Sequence, residues 1–179
     1  MTGSQASPSA DQKDGPILIG LGANLPSPVG PPKATLEAAL ARFEEHGLSL
    51  VARSSWLLTT PVPASDQPLF VNGVAQVATR LSPLDLLAAL LAIERSFGRE
   101  RGVANAARTL DLDLLAYGRL VMASPALTLP HPRMTDRLFV MAPLAELAPD
   151  WRHPVSGLRA DALLEVCRAA AGADRVSRL

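Results

Sequence analysis

The sequence predicts a single domain of the α+β class, built on a ferredoxin-like antiparallel sheet with helices packed on it. The main observation is the order of apolar patterns along the chain, β-α-β-β-α-β, which is the order of that fold. The chain has 179 residues, and 48% of them are apolar, which is enough to fill one hydrophobic core. No internal repeat is visible, so one domain is expected. The helices are expected on one face of the sheet and the loops on the other.

The first part of the domain alternates apolar segments with loops rich in proline. Residues 16–22 form a short apolar run that ends in glycine, which predicts a buried strand. Residues 23–32 contain four prolines and are predicted to form a loop. Residues 33–46 carry apolar side chains at helical spacing and are followed by glycine, so a helix is expected there. A second strand is predicted over residues 48–58, and another proline-rich loop over 59–68.

The middle of the chain carries the clearest helix and the most regular strand. Residues 71–81 alternate in polarity and are rich in valine, which predicts a third strand. The helix that follows is expected to begin after Ser82 as its N-cap residue, with proline at the first helical position, and to stop at Gly98. A loop rich in arginine covers residues 99–108, and the alternating segment 109–117 predicts a fourth strand.

The C-terminal part of the chain is predicted to contain one short strand and two helices, and the N-terminal tail no regular structure. A short strand is expected around residues 120–122, and a loop (LTLPHPRMTDR) covers residues 127–137. Two further helices are predicted, over residues 139–147 and 161–171. Residues 1–15 are polar and contain no apolar run, so a disordered tail is expected and no signal peptide.

Composition excludes several classes of protein. The chain has 17 basic and 17 acidic side chains, so binding to nucleic acid through bulk positive charge is not expected. No apolar run approaches the roughly 20 residues needed to span a bilayer. The single cysteine, Cys167, excludes an intrachain disulfide framework and a cysteine-rich zinc site. The sequence therefore predicts a cytoplasmic protein with no membrane or nucleic-acid partner.

Two aspartates in the fourth strand are the most informative chemical feature. Asp111 and Asp113 are two residues apart, so on a strand they project from the same face, about 6.6–6.8 Å apart along the chain. Two such carboxylates repel each other unless a cation lies between them, and one or two Mg²⁺ ions that bridge substrate phosphates would suit them. The alternative is a solvated strand face on which aspartate pairs with arginine.

Two observations favour the metal site over the solvated face. Aspartate is disfavoured in strands, so two in one short strand need a reason. Several charged residues also lie close to this strand in the sequence: Glu94, Arg99, Arg101 and Arg108. Carboxylates and arginines that meet at one loop are typical of a site for a metal and a polyphosphate.

A histidine in the loop after the fourth strand is a second candidate. His131 lies between two prolines and next to Arg133, which would hold it in a rigid segment where it can contact a phosphate oxygen. A purely structural histidine is the alternative. Known nucleotide motifs are missing, because Leu25 replaces the third glycine of a dinucleotide fingerprint and no P-loop sequence is present.

Together these motifs resemble the 6-hydroxymethyl-7,8-dihydropterin pyrophosphokinase family, over residues 17–154. The resemblance rests on the order and spacing of several short motifs. They are GLGANL (20–25), DQPLFVN (66–72), GRER (98–101), RTLDLD (108–113), PHPR (130–133) and RLFV (137–140). The sequence departs from the family where many members have Trp-Gly-Pro before Arg108, because residues 105–107 are Asn-Ala-Ala here.

The resemblance implies transfer of pyrophosphate from ATP to the hydroxymethyl group of 6-hydroxymethyl-7,8-dihydropterin, with release of AMP, in folate biosynthesis. Residues 16–179 would form the pyrophosphokinase domain, and Asp111 and Asp113 would bind two Mg²⁺ ions. The implied catalytic residues are Arg99, Arg101, Asp111 and Asp113. The implied ATP-binding residues are Glu94, Arg99, Arg101, Arg108, Leu114, Thr128, His131 and Arg137. The implied pterin-binding residues are Thr59, Thr60, Val62, Phe70, Asn72, Asp111 and Phe139.

Two alternatives to this enzyme remain at the level of sequence. One is a homologue that binds pterin but does not turn it over, and the other is a ferredoxin-like binding module. A nucleic-acid-binding module would carry basic and aromatic residues on its strands. Only 4% of the residues here are aromatic, and the fourth strand carries aspartates instead. By family analogy a monomer is expected.

Overall fold

The structure is a computed structural model that describes residues 14–98, 107–171 and 176–179. Most of the predicted disordered tail and most of the arginine-rich loop at 99–108 therefore lie outside the described residues. Within the described part of the chain, no helix is both long and apolar enough to cross a membrane.

Eight strands and four α-helices make up the described fold. The strands are β1 (Ile17–Ala23), β2 (Leu48–Arg53), β3 (Leu57–Thr59), β4 (Phe70–Thr79), β5 (Asp111–Tyr117), β6 (Met122–Ala123), β7 (Thr128–Leu129) and β8 (Val176–Arg178). The helices are α1 (Pro32–Ala41), α2 (Pro83–Ser96), α3 (Leu138–Leu147) and α4 (Ala160–Ala170). Short 3₁₀ helices lie at Glu44–His46 and Met134–Asp136.

The main sheet is antiparallel and has the strand order β5-β1-β4-β3-β8, with β2 also paired to β4. Because β2 and β3 together occupy the place of the second strand, this is the strand order of a ferredoxin-like sheet. The predicted α+β class and single domain are confirmed. The strands β6 and β7 form a separate two-stranded ribbon.

The strand predicted over residues 48–58 is interrupted in the middle. Arg53 pairs with Ala75 and Leu57 pairs with Asn72, so three residues on this side face two on β4. An extra residue of this kind is a β-bulge, which bends the strand. The Ser54 hydroxyl accepts a hydrogen bond from the backbone N–H of Val74 at 3.0 Å and stabilises the bend.

The capping of α2 agrees with the sequence-based prediction. Ser82 is the N-cap residue, and its hydroxyl accepts a hydrogen bond from the Asp85 N–H at 3.2 Å. The same hydroxyl donates to Asp85 Oδ2 at 2.6 Å. The reciprocal bonds satisfy a backbone donor that the helix itself leaves unpaired, which fixes where α2 begins.

Helices cover both faces of the sheet, so the expectation that they would lie on one face is wrong. The larger core cluster packs α1 and α2 against one face. The smaller cluster packs α3 and α4 against the other face, over Leu18, Val74 and Leu115. On their strands these three side chains point to the face opposite the residues of the larger core. The strands β1, β4 and β5 are therefore apolar on both faces where α3 and α4 cover them. The other end of the second face is not covered by helices.

The last strand, β8, was not predicted from the sequence. It pairs antiparallel with β3, with Thr59 opposite Val176 and Leu57 opposite Arg178. The edge strand β2 is less well covered, because its residues Leu50 and Val51 are 43% and 55% exposed to solvent. Among the described residues, β2 pairs with β4 alone.

Candidate active site

An open cleft of about 290 Å³ lies on the uncovered end of the second sheet face. This volume is close to the lower end of the range of about 300–1,000 Å³ found for small-molecule sites. The cleft brings together most of the residues singled out in the sequence. Its lining includes Gly22, Thr59, Thr60, Val62, Phe70, Asn72, Arg108, Asp111, Asp113, His131, Arg133, Arg137 and Phe139.

The floor of the cleft is a row of residues across three strands. Gly22 on β1 pairs with Asn72 on β4 and with Asp111 on β5. A Cβ atom added to Gly22 would lie 2.8 Å from Asn72 Oδ1 and 3.9 Å from Asp111 Cβ. Glycine at this position therefore leaves space between the amide and the carboxylate, and the cleft extends into that space.

Asp111 and Asp113 project from the same face of β5, as the spacing predicts, and both line the cleft. The alternating leucines of this segment are buried in the larger core on the opposite face. Asp111 Oδ2 lies 2.6 Å from Arg108 Nη1, and the two side chains are 22% and 23% exposed. The pairing of aspartate with arginine, which the sequence left as the alternative to a metal site, is therefore present for Asp111, and it lies at the edge of an open cleft.

The chemistry of the two carboxylates is compatible with Mg²⁺. Among the described residues there is no group of three or more histidine, cysteine, aspartate or glutamate side chains that could hold a metal ion. Mg²⁺ is commonly bound by one or two carboxylates and takes its other ligands from water and substrate phosphates. Asp111 and Asp113 fit this pattern, and a site of this type needs a phosphate-bearing substrate to complete it.

A turn after β7 supplies cations opposite the aspartates. It is fixed at His131, whose backbone N–H donates to the Leu115 carbonyl at 2.8 Å, and at Met134, which is fully buried in the smaller core. His131 and Arg133 lie on this turn, and Arg137 lies just before α3. The Arg137 guanidinium carbon is 5.4 Å from the centre of the Phe139 ring, which is a cation–π distance.

Burial and charge keep His131 neutral near physiological pH. Burial lowers the pKa of His131 below 6.5, and Arg137 and Arg133 lower it further, while Asp113 opposes the shift. His131 Nδ1 accepts a hydrogen bond from the Arg133 N–H at 3.3 Å. In the neutral ring the proton is therefore assigned to Nε2, which can donate to an acceptor in the cleft.

The free energy of unfolding of the substrate-free protein is expected to decrease as the pH falls below 6.5. The pKa values of His131 and His153 are both lowered, chiefly by burial, so the unfolded chain binds more protons than the folded chain in this range. Urea denaturation over a pH series on both sides of 6.5 checks this, and His131→Gln should flatten the profile below that pH. An unchanged profile in His131→Gln would contradict the assignment.

The side of the cleft formed by β3 and β4 is suited to a flat polar ring. Asn72 Nδ2 donates to Thr59 Oγ1 at 2.7 Å, and these side chains are 6% and 3% exposed. Because the amide nitrogen is used in this bond, Asn72 Oδ1 is turned toward the space above Gly22. Phe70 and Phe139 lie half-buried in the lining and provide aromatic surface.

Three of the residues implied for ATP do not line the cleft. Glu94 on α2 is 2% exposed, and its Oε1 accepts a hydrogen bond from the Leu112 N–H at 2.7 Å. Leu114 is buried in the larger core, and Thr128 is exposed on β7. Arg99 and Arg101 lie outside the described residues. The roles of these five residues stay predictions.

Asn24 connects the loops around the cleft, although no role was predicted for it from the sequence. Its Oδ1 accepts from the Arg108 N–H at 2.8 Å, and its Nδ2 donates to Gln67 Oε1 at 3.2 Å and to the Pro68 carbonyl at 3.3 Å. The side chain is 2% exposed. A polar residue inside the first glycine-containing motif is the only signal in the sequence that points to it.

Replacing Asn24 by alanine is expected to lower the free energy of unfolding by about 2–3 kcal/mol, because the Arg108 N–H loses its acceptor in a nearly buried site. Urea denaturation measures this change. Gln67→Ala is the control, since it removes one of the two acceptors of Asn24 Nδ2 and leaves the bond from the Arg108 N–H to Asn24 in place, and its effect should be smaller. A loss below about 0.5 kcal/mol in Asn24→Ala would show that the amide is not structural.

Fold and site together define a class of protein. A ferredoxin-like α+β domain that places two carboxylates opposite a group of cations in an open cleft is suited to enzymes that transfer phosphoryl groups. Comparison with known proteins identifies the family. The 7,8-dihydro-6-hydroxymethylpterin-pyrophosphokinase family model matches residues 18–149.

Curated relatives carry the same description. The chain is 45% identical over 152 residues to a 2-amino-4-hydroxy-6-hydroxymethyldihydropteridine pyrophosphokinase of Pseudomonas aeruginosa, with 84% of this chain and 91% of the relative covered. It is 42% identical over 149 residues to one from Synechocystis, with 83% and 74% covered. A mitochondrial bifunctional folate synthesis protein of Pisum sativum is 38% identical over 135 residues, covering 75% of this chain and 25% of that protein.

Solved structures show the same fold. A Plasmodium falciparum HPPK-DHPS triple-mutant structure superposes with a TM-score of 0.70 at 15% identity, covering 96% of this chain and 50% of that one. The chain therefore belongs to the 7,8-dihydro-6-hydroxymethylpterin-pyrophosphokinase family, whose members transfer pyrophosphate from ATP to hydroxymethyldihydropterin in folate biosynthesis.

Proposed function

We propose that the cleft binds 6-hydroxymethyl-7,8-dihydropterin beside the phosphates of ATP and transfers the pyrophosphoryl group to the pterin hydroxymethyl, leaving AMP. The observation that supports this most directly is the floor of the cleft. Asn72, Gly22 and Asp111 lie side by side across three strands, so a polar ring bound at the amide has its substituent close to the carboxylates. The site thus suits a reaction between a pterin alcohol and a polyphosphate.

Asp111 and Asp113 would hold Mg²⁺, and two ions are proposed from the family resemblance. When bound, Mg²⁺ supplies positive charge that offsets the charge of the phosphates and of the two carboxylates. The protein's own contribution is to keep both carboxylates on one face of β5. The buried side chains of Leu110, Leu112 and Leu114 fix the strand on its other face. Arg108 orients Asp111.

On the pterin side, the ring would lie between aromatic surface from Phe70 and Phe139, with its polar edge at Asn72. Asn72 donates from Nδ2 to Thr59 Oγ1, which leaves Asn72 Oδ1 to accept a hydrogen bond from a ring N–H. Thr60 and Val62 line the same end of the cleft and would supply backbone contacts. A neutral polar ring gains most of its affinity from apolar faces and a few placed polar groups.

On the phosphate side, Arg108, His131 and Arg137 would bind ATP. His131 is suited to donate from Nε2 to a phosphate oxygen without needing a proton, because its pKa is lowered. Arginine and histidine donors that are fixed in place before the reaction stabilise charge that develops on the transferred phosphate oxygens. Glu94, Leu114, Thr128, Arg99 and Arg101 are proposed for the remainder of the ATP site from the family resemblance.

We also propose that the protein acts as a monomer in the cytoplasm. The chain has a single cysteine, Cys167, which is buried in the smaller core, so it has no intrachain disulfide, and this suits a reducing compartment.

The test is incubation of the protein with ATP, Mg²⁺ and 6-hydroxymethyl-7,8-dihydropterin, followed by separation of the nucleotide products. AMP formed in a one-to-one ratio with pterin consumed is expected. Formation of ADP would mean transfer of a single phosphoryl group and would contradict the proposal. Binding of the pterin without any nucleotide turnover would support the non-catalytic homologue instead.

A further inference from the structure

Arg133 lies in the cleft on a firmly held piece of backbone. His131, two residues before it, donates from its backbone N–H to the Leu115 carbonyl at 2.8 Å. Met134, the next residue, is fully buried and donates from its N–H to the His131 carbonyl at 3.1 Å. The base of the Arg133 side chain is therefore fixed relative to β5. The residue lines the same cleft as Asp111 and Asp113.

The arginines of the cleft differ in what they contact. Arg108 forms an ion pair with Asp111 at 2.6 Å, and Arg137 lies over the Phe139 ring at 5.4 Å. Arg133 is exposed, and in the part of the chain that the structure describes its guanidinium has no ion pair, hydrogen bond or ring contact. Burial lowers the pKa values of both His131 and Arg137, and the charge of Arg133 lowers them further.

A free guanidinium inside a binding cleft is suited to an anionic group of the substrate. Guanidinium binds phosphate through two parallel hydrogen bonds, whereas the ammonium group of lysine acts as a point charge. Arg133 and Arg137 lie on one short segment, and their guanidinium groups repel each other in the substrate-free protein. A bound phosphate group removes that repulsion, so the turn is a better receptor for an anion than any of its members alone.

We propose that Arg133 binds the pyrophosphoryl group itself, before and after transfer. This inference rests on the proposed function of the cleft. The cleft is lined by the residues of the pterin side and by the two aspartates, whereas Glu94, Leu114 and Thr128 lie outside its lining. A cation in this lining faces the part of ATP that moves onto the pterin. That group is common to ATP and to the pyrophosphorylated product, and it is absent from AMP and from the pterin alcohol.

The experiment measures dissociation constants by titration calorimetry for ATP with Mg²⁺, AMP and the pterin, using Arg133→Gln and Arg133→Lys. Arg133→Gln should weaken ATP binding about tenfold and change AMP and pterin binding by less than about twofold. Arg133→Lys should recover only part of the ATP affinity, because lysine cannot form the paired hydrogen bonds. In steady state, KM for ATP should rise while KM for the pterin stays unchanged.

Arg119→Gln is the matched control. Arg119 is an exposed arginine in the turn after β5, at the end of that strand remote from Asp111, so its loss changes the net charge equally. The proposal would be overturned if Arg119→Gln lost as much ATP affinity as Arg133→Gln and if the differences from wild type disappeared at about 0.5 M KCl. That result would mean that ATP responds to the net charge of the protein and not to Arg133. An equal loss for AMP and ATP would place Arg133 at the phosphate that is not transferred and would also overturn it.

The wild-type reaction separates this inference from the proposed function. If the wild-type protein forms AMP and Arg133→Gln binds ATP normally, only the role of Arg133 is wrong. If the wild-type protein forms no AMP with ATP, Mg²⁺ and the pterin, the proposed function itself is wrong.

Discussion

Replacing Asp113 by alanine is expected to lower kcat for AMP formation by at least about a thousandfold while the fold remains intact. The carboxylate projects into the cleft beside Asp111, where it would hold Mg²⁺ against the phosphates. Its loss should cost little stability, because the carboxylate is only partly buried and its repulsion by Asp111 offsets its attraction to Arg137. The measurement is the rate of AMP formation over a series of Mg²⁺ concentrations, together with the melting temperature.

Asp136→Ala is the control for this experiment. Asp136 is an exposed carboxylate in the 3₁₀ helix Met134–Asp136 and does not line the cleft. The variant should keep kcat within about twofold of the wild-type value. If Asp113→Ala retains near-normal turnover at limiting Mg²⁺, the assignment of the metal to this pair of aspartates is wrong.

Replacing Gly22 by alanine is expected to raise KM for the pterin by about tenfold or more. The new Cβ atom would lie 2.8 Å from Asn72 Oδ1, which is closer than side-chain carbons approach an oxygen in practice. A shift of Asn72 away from the new atom strains or breaks its 2.7 Å bond to Thr59, so we expect the pterin side of the cleft to rearrange. Steady-state kinetics with the pterin varied at saturating ATP measures the effect.

Gly20→Ala is the matched control, two residues earlier on the same face of β1. A Cβ atom at Gly20 would lie 3.4–3.5 Å from carbons of the Leu115 side chain, which is an ordinary packing distance. This variant should keep KM for the pterin within about twofold of the wild-type value. Equal effects of the two substitutions would show that glycine serves the strand and not the cleft.

The features that could be predicted from sequence are those that depend on local periodicity. The alternation of leucine and aspartate in residues 110–114 determines which face each side chain takes, and the structure agrees. The start of α2 follows from Ser82 and Asp85, whose side chains satisfy the first turn locally. Both predictions need only neighbouring residues.

The features that were not predicted depend on contacts between distant residues. The second face of the sheet is apolar because Leu18, Val74 and Leu115 come together from three strands, and no single segment shows this. Strand β8 has only three residues, and it forms because its backbone pairs with that of β3. The hydrogen bonds of the Asn24 side chain join residues more than forty positions apart, so local sequence patterns do not predict them.

The edge strands β5 and β2 of the main sheet differ in how well they resist the addition of another strand. Along β5, Glu94 accepts from the Leu112 N–H and the His131 N–H donates to the Leu115 carbonyl, so these backbone groups are already occupied. On β2, Leu50 and Val51 are exposed, and neither proline nor lysine interrupts the segment 48–53. Unprotected edge strands of this kind act as templates for aggregation. Self-association of the folded protein at high concentration should therefore begin at β2, on the part of the sheet that catalysis does not use.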